Sequence, residues 1–234
     1  MIDIIVPVKN DTSNLLLLLP KLVNTIKYKF DLVVCYDQGD DVIKHENKLK
    51  KIHSDLFLFK NPSKGPCEAI KYGLKHSKNL CKIVYVADDF LNISLINKMY
   101  ETFLNGADMV VASRFIRGGN MKGCPLLKSI LVRSASFSLY YLSTIPVRDA
   151  SNGFRLFSKK LLDHCNIEST KGFSYSLELL VKADRFNFNI VELPAKWEER
   201  SVGQSNFKLG LWIPSYLRWY FYGLANNFKK KNEE

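Results

Sequence analysis

Short continuous apolar runs alternate with amphipathic stretches through the first half of this chain. Residues 2–8, Ile-Asp-Ile-Ile-Val-Pro-Val, read as a buried strand, and 31–36, 56–60, 83–87 and 108–113 repeat the pattern. Between them, 13–27, 41–52, 66–76 and 94–104 carry apolar positions at helical spacing. Strands that are apolar on both faces, separated by helices, predict an α/β fold with a mostly parallel sheet sandwiched by helices. Its crossovers are expected to be right-handed. In such sheets a ligand sits beyond the carboxyl ends of the strands, which places Pro7, Asp37, Asp89 and Arg114 on one rim.

The second half changes character. A helix is expected over 126–143, a turn around 149–153, a strand over 154–158, further helices, and a strand over 190–197. A polar loop, 198–205, precedes an aromatic helix over 209–225. That segment holds Pro214, Arg218, two Trp and three Tyr. A bilayer-crossing helix needs about 20 mostly apolar residues. The segment therefore suits a helix lying in the headgroup region. With no repeat and no low-complexity linker, the chain is not divided.

At 234 residues it is long enough for a full core. A formal net charge of +11 favours anionic partners: phosphorylated substrates, an acidic membrane surface or nucleic acid. No helix-turn-helix, zinc-finger or RNP-like pattern is present, so nucleic acid is set aside. Five cysteines, at 35, 67, 81, 124 and 165, form no C-x-x-C pair and read as reduced thiols of a cytosolic protein. The N-terminus reads as a strand and not a signal peptide.

Residues 148–155, Arg-Asp-Ala-Ser-Asn-Gly-Phe-Arg, set two guanidiniums and a carboxylate around a glycine turn that runs into an apolar segment. Such a cluster suits a highly anionic ligand. Asp88 and Asp89 end a strand, where carboxylates either hold a divalent metal against a diphosphate or cap a turn. Asp37 could accept an N–H from a nucleotide base or simply close a turn. Ser113-Arg114, ahead of Gly118-Gly119, suits bidentate phosphate contact or a salt bridge. Arg133, on an otherwise apolar helix, and Arg155, between Phe154 and Leu156, each require a carboxylate or an anionic ligand. Arg200, Gly203 and Ser205 form a donor-rich loop that could close over phosphates or merely connect. Glu178 and Glu192 could pair with these arginines or support catalysis.

Taken in order, these blocks resemble family-2 glycosyltransferases of the GT-A fold, in particular dolichyl- or polyprenyl-phosphate sugar synthases. The likeness is carried by Ile5-Val6-Pro7-Val8, Asp37, Gly65 with Ala69 and Gly73, residues 86–89, Ser113-Arg114-Phe115 with Gly118-Gly119, and Arg133. It continues through Asp149 with Asn152-Gly153-Phe154-Arg155, Phe173 with Glu178, Glu192-Leu193-Pro194, and Arg200 with Gly203 and Ser205. It implies a Rossmann-like GT-A domain over 1–207. Residues 208–234 would be an interfacial amphipathic aromatic helix and basic tail of the same unit.

The resemblance also implies roles. Pro7 and Asp37 would line the base pocket. Asp89, with Asp88, would bind Mg²⁺ or Mn²⁺ and the donor diphosphate, and Arg200 and Ser205 would close over the donor. Arg114, Arg133, Asp149 and Arg155 would face the acceptor, with Asp89, Arg114 and Arg133 as the catalytic set. The implied reaction moves a hexose with inversion from a nucleotide-diphosphate sugar to a polyprenyl phosphate. It would take place on the cytoplasmic face of a membrane, with a separate membrane subunit as one way of anchoring the chain. An ionised phosphate acceptor needs no dedicated general base, whereas a hydroxyl acceptor does. Glu178 and Asp149 are the only candidates for that base. Two alternatives stand beside this expectation. One is a family-2 enzyme acting on a saccharide hydroxyl in surface-polysaccharide synthesis. The other is a weakly active nucleotide-sugar-binding homologue, motivated by Ala87 where the family's Asp-x-Asp block begins with Asp.

Overall fold

The structure, a computed structural model, describes residues 1–199 and 209–230. Strand β1 (Ile2–Val8) passes through helix α1 (Thr12–Thr25) to β2 (Phe30–Tyr36). A 3-10 turn (Asp41–His45) and α2 (Glu46–Ile52) lead to β3 (Leu56–Lys60), and α3 (Pro66–His76) leads to β4 (Cys81–Val84). There follow α4 (Leu95–Leu104), β5 (Met109–Ser113), β6 (Asn120–Lys122), α5 (Leu126–Leu142) and β7 (Arg155–Ser158). The described chain ends with α6 (Lys159–His164), α7 (Ser174–Arg185), β8 (Ile190–Pro194), β9 (Lys196–Glu198) and α8 (Leu209–Lys230).

Seven strands form one sheet in the order β3-β2-β1-β4-β7-β5-β8, parallel except for β7. The continuous apolar runs are explained by burial on both faces. In β1, Ile2, Ile4 and Val6 join Leu15, Leu18 and Leu22 of α1 and Met99 of α4 in one core layer. Ile5 packs in the other with Ile70 and Leu74 of α3 and Leu180 of α7. Helix α3 lies hard against the sheet at Gly73, where a Cβ would stand 2.7 Å from both Cys35 Sγ and Ile5 Cγ2. Burial pushes the Cys35 and Cys67 thiols up to about 12, so both stay protonated at neutral pH.

Four elements differ from the sequence expectation. The strand expected at 83–87 lies earlier, at Cys81–Val84. The 41–52 helix begins as a 3-10 turn because Asp40 accepts an N–H from Val42 at 3.0 Å. The 190–197 strand divides at Ala195: β8 stays on β5, while β9 leaves to form a second, two-stranded sheet with β6. The strand at 154–158 lies in the middle of the main sheet and runs antiparallel, at Arg155–Ser158. No described helix is long and apolar enough to cross a membrane.

Candidate active site

The reversed strand organises the rim. Arg155 opens β7 and stands opposite Val84 of β4 and Val111 of β5, so the turn before it projects between the carboxyl ends of those two strands. Its anchor is Asp149, whose side chain is fully buried. Asp149 Oδ2 accepts from the Arg114 backbone N–H at 2.9 Å and from Arg114 Nε at 2.7 Å. Oδ1 accepts from the other arm of the guanidinium at 2.9 Å and from the backbone N–H groups of Ser151 and Asn152. Burial acts to raise this carboxyl, but the charge and hydrogen bonds of Arg114 override it and hold Asp149 below the usual range. Glu192 completes the frame by accepting the Arg148 and Asp149 backbone N–H groups, each at 2.9 Å.

Arg114 therefore meets Asp149 as a fork-to-fork pair, with Ser151 Oγ at 2.6 Å as a further partner. Its guanidinium carbon lies 5.1 Å from the centre of the Phe115 ring. Arg133 of α5 comes to the same ring at 4.7 Å. Among the described residues Arg133 meets no carboxylate, and its one protein hydrogen bond is Nε to Ser129 Oγ at 3.3 Å. Phe115 thus carries two guanidiniums, one neutralised by Asp149 and one that meets no carboxylate among the described residues.

Arg155 does not reach this surface. It is fully buried and donates to three backbone carbonyls, of Ala150, Asn152 and Ser176. Burial pulls its guanidinium down to about 10. The acceptor contact expected of Arg155 is corrected to a staple that joins the 149–153 turn to α7. Glu178, also fully buried, accepts Lys182 Nζ at 2.7 Å and the N–H groups of Glu168 and Ser169. It serves the α7–α8 side of the molecule.

On the neighbouring strand end, Asp89 Oδ1 accepts the N–H groups of Leu91 and Asn92 in an Asx-type turn. The Asn92 amide donates to both carboxylate oxygens, at 3.0 and 2.8 Å. Oδ2 accepts from that amide, and a carboxylate oxygen has acceptor capacity for more than one such partner. Burial raises the Asp89 carboxyl above the ordinary range although these N–H bonds pull it down. No group of three His, Cys, Asp or Glu that could cage a metal occurs among the described residues. The residues present fit a cation held by carboxylate oxygen from Asp89, with Asp88 beside it, whose remaining ligands are substrate phosphate and water, as is usual for Mg²⁺.

Asn92 also joins the two rims. Its amide exchanges hydrogen bonds with the backbone of Lys196, at 2.7 and 2.9 Å. The adjacent Ala195 N–H donates to Ser113 O at 2.7 Å. The Asp89 turn and the Arg114 turn are thereby tied through the two adjacent residues Ala195 and Lys196. Sequence reading passed over Asn92, since a lone Asn after an acidic pair has no distinguishing pattern.

Two strands away, Asp37 accepts Asn61 Nδ2 at 2.7 Å and the Gly65 N–H at 3.3 Å. Gly65 has φ +95°, a conformation that suits glycine. Pro7, half-buried at the end of β1, pairs in register with Cys35. An open cleft lined by Gln38, Lys60, Asn61, Pro62, Ser63 and Lys64 adjoins Asp37. Arg200, Gly203 and Ser205 lie outside the described residues.

The sequence profile of glycosyl transferase family 2 matches residues 3–165, more than half of the chain. The chain belongs to this family. Among curated family-2 relatives, the dolichol-phosphate mannosyltransferase of Pyrococcus furiosus is 24% identical over 221 residues, 93% of this chain and 62% of the relative. The polyprenol monophosphomannose synthase of Mycolicibacterium smegmatis is 24% identical over 112 residues, 47% of this chain and 42% of the relative. The chain thus spans less than two thirds of either relative. Among solved structures, glucosyl-3-phosphoglycerate synthase of Mycobacterium tuberculosis, in complex with Mn²⁺, UDP-glucose and phosphoglyceric acid, superposes with a TM-score of 0.67 at 15% identity, covering 94% of this chain and 80% of that one. The likeness establishes a GT-A-like fold for this family-2 chain.

Proposed function

We propose that the chain transfers a hexose, with inversion, from a nucleotide-diphosphate sugar to a polyprenyl phosphate at the cytoplasmic surface of a membrane. The placement of Arg133 carries this reading. It is a guanidinium without a carboxylate partner among the described residues, set on a helix whose outward face is apolar. Leu127, Ile130, Leu131, Tyr141 and Leu142 line that face of α5, with Leu127 72% exposed. Ile213, Leu217 and Phe221 add a stripe at four-residue spacing on α8, which packs beside α5. Exposed apolar area of this kind marks a surface that meets a partner. A cation beside such a face suits a phosphate that bears a hydrocarbon chain, and the names of the two curated relatives support the same acceptor class.

On the donor side, Pro7 and Asp37 are assigned to the base, with Asn61 of the neighbouring cleft hydrogen-bonded to Asp37. Asp89, with Asp88, would hold the divalent cation, Mg²⁺ or Mn²⁺. When bound, that ion neutralises the departing diphosphate. Arg200 and Ser205 are assigned to closing over the donor. An acceptor phosphate, with a second pKa of about 6, is substantially ionised near neutrality and can attack the anomeric carbon directly. The protein must then align the two substrates and stabilise charge. The placement of the two candidate bases favours this acceptor over a hydroxyl. Asp149 is committed to Arg114, and Glu178 to Lys182.

The test incubates the full chain with radiolabelled GDP-mannose or UDP-glucose, polyprenyl phosphate and Mn²⁺, followed by organic extraction. The expected result is label in the lipid fraction, abolished by Asp89→Ala. Label confined to water-soluble glycan would establish the hydroxyl-acceptor reading instead. Donor binding with no turnover would establish the binding-homologue reading.

A further inference from the structure

We propose that Phe115 is a positioning residue for the acceptor phosphate, holding Arg133 beside Arg114 by presenting one aromatic ring to both guanidiniums. This rests on the reading of Arg133 as the phosphate contact. The two guanidinium carbons lie 5.1 and 4.7 Å from the same ring centre, so two like charges share a small space. Their repulsion is offset at one end by Asp149, which neutralises Arg114 and fixes its fork. Among the described residues nothing comparable holds Arg133. Apart from the Ser129 contact on its own helix, the ring is its attachment to the described residues of the site. An aromatic face attracts a guanidinium through its quadrupole without using the N–H donors. Arg133 therefore stays oriented with most of its five donors available for phosphate oxygens.

The ring is itself fixed. Phe115 follows Arg114, whose backbone N–H is held by Asp149, and its own N–H donates to Ser113 Oγ at 3.2 Å. Phe137 of α5 packs against it with centroids 5.8 Å apart. The platform thus joins the turn after β5 that carries Arg114 to the helix that carries Arg133. Leucine at 115 would keep the apolar contact with Phe137 and lose the attraction for both cations.

The experiment compares wild type, Phe115→Leu, Phe115→Tyr and Arg133→Ala for KM toward polyprenyl phosphate, KM toward the donor, and kcat. The expected result for Phe115→Leu is an acceptor KM raised about 2- to 30-fold, the range of one cation–π contact. Donor KM should stay within about twofold, and Phe115→Tyr should restore the wild-type value. If Arg133→Ala raises acceptor KM and Phe115→Leu does not, the inference is overturned and the Arg133 reading survives. If Arg133→Ala leaves acceptor KM unchanged, the reading of Arg133 fails and the inference falls with it. Equal rises in donor and acceptor KM for Phe115→Leu would mark a merely structural role and also overturn it. Should the leucine variant not fold, Phe115→Met, apolar and of similar volume, carries the same outcomes.

Discussion

Asp149 is a carboxylate that the fold cannot lose cheaply. It sits at 0% exposure against an Arg114 side chain only 11% exposed. Removing one partner of a buried pair leaves the other charge uncompensated, at a cost of about 3–5 kcal/mol. Asp149→Asn is expected to lose stability in that range, measured by urea unfolding at pH 7. The pH dependence follows from the depressed folded-state pKa. The pair's contribution is complete above the unfolded carboxylate value of about 3.9 and is lost as pH falls through the lower folded value. The gap between wild type and Asp149→Asn should therefore hold steady from pH 7 to about 5 and narrow below about 4. Urea midpoints across that range check it, and a gap that widens on acidification would contradict the assignment. At this scale the sequence marked Arg114, Asp149 and Arg155 as charged groups needing partners but not which partners they take. Arg114 and Asp149 both read as ligand contacts, yet they satisfy each other across 35 positions, and Arg155 in the same motif turns inward. Residue type and spacing do not encode such choices, because they depend on which strand lies between the two segments.

Among the elements, α8 shows how far a pattern can be read. Its aromatic content predicts a helix near an apolar phase, and the helix is there, but both of its faces are apolar and composition does not say which faces inward. Trp219, 2% exposed, stands between the cations of Lys182 and Arg218, at 4.8 and 4.7 Å, and donates to Ser169 Oγ at 2.9 Å. One turn on, a Cβ at Gly223 would lie 2.9 Å from Val181 Cγ1, so α8 crosses α7 closely. Gly223→Val is expected to cost about 1–3 kcal/mol by overpacking. The lost docking should appear as faster proteolysis within 209–230 while the sheet core stays protected. Strand positions were legible for a plain reason: burial on both faces leaves uninterrupted apolar runs. The reversed direction of β7 and the exit of β9 to a second sheet were not, because apolar periodicity is the same for either direction and either partner.

For the whole molecule, the proposed membrane reading has the exposed faces of α5 and α8 and the net charge of +11 acting together at an anionic bilayer. Leu127→Asp combined with Leu131→Asp is expected to weaken binding to vesicles containing phosphatidylserine about 10- to 100-fold by flotation. Nucleotide affinity should not change. Added salt should weaken the wild-type interaction as well, since the charge contribution is screened. The central place of β7 bears on how the chain is made. β5 hydrogen-bonds to β7 and β8 and has no ladder to β4. A nascent polypeptide that has left the ribosome only as far as residue 150 thus carries the four-stranded piece β3-β2-β1-β4 and a lone β5, with raw edges and nothing to join them. Such edges invite adventitious pairing. The seam closes when Arg155–Ser158 slides between them, and the same event brings Asp149 to Arg114.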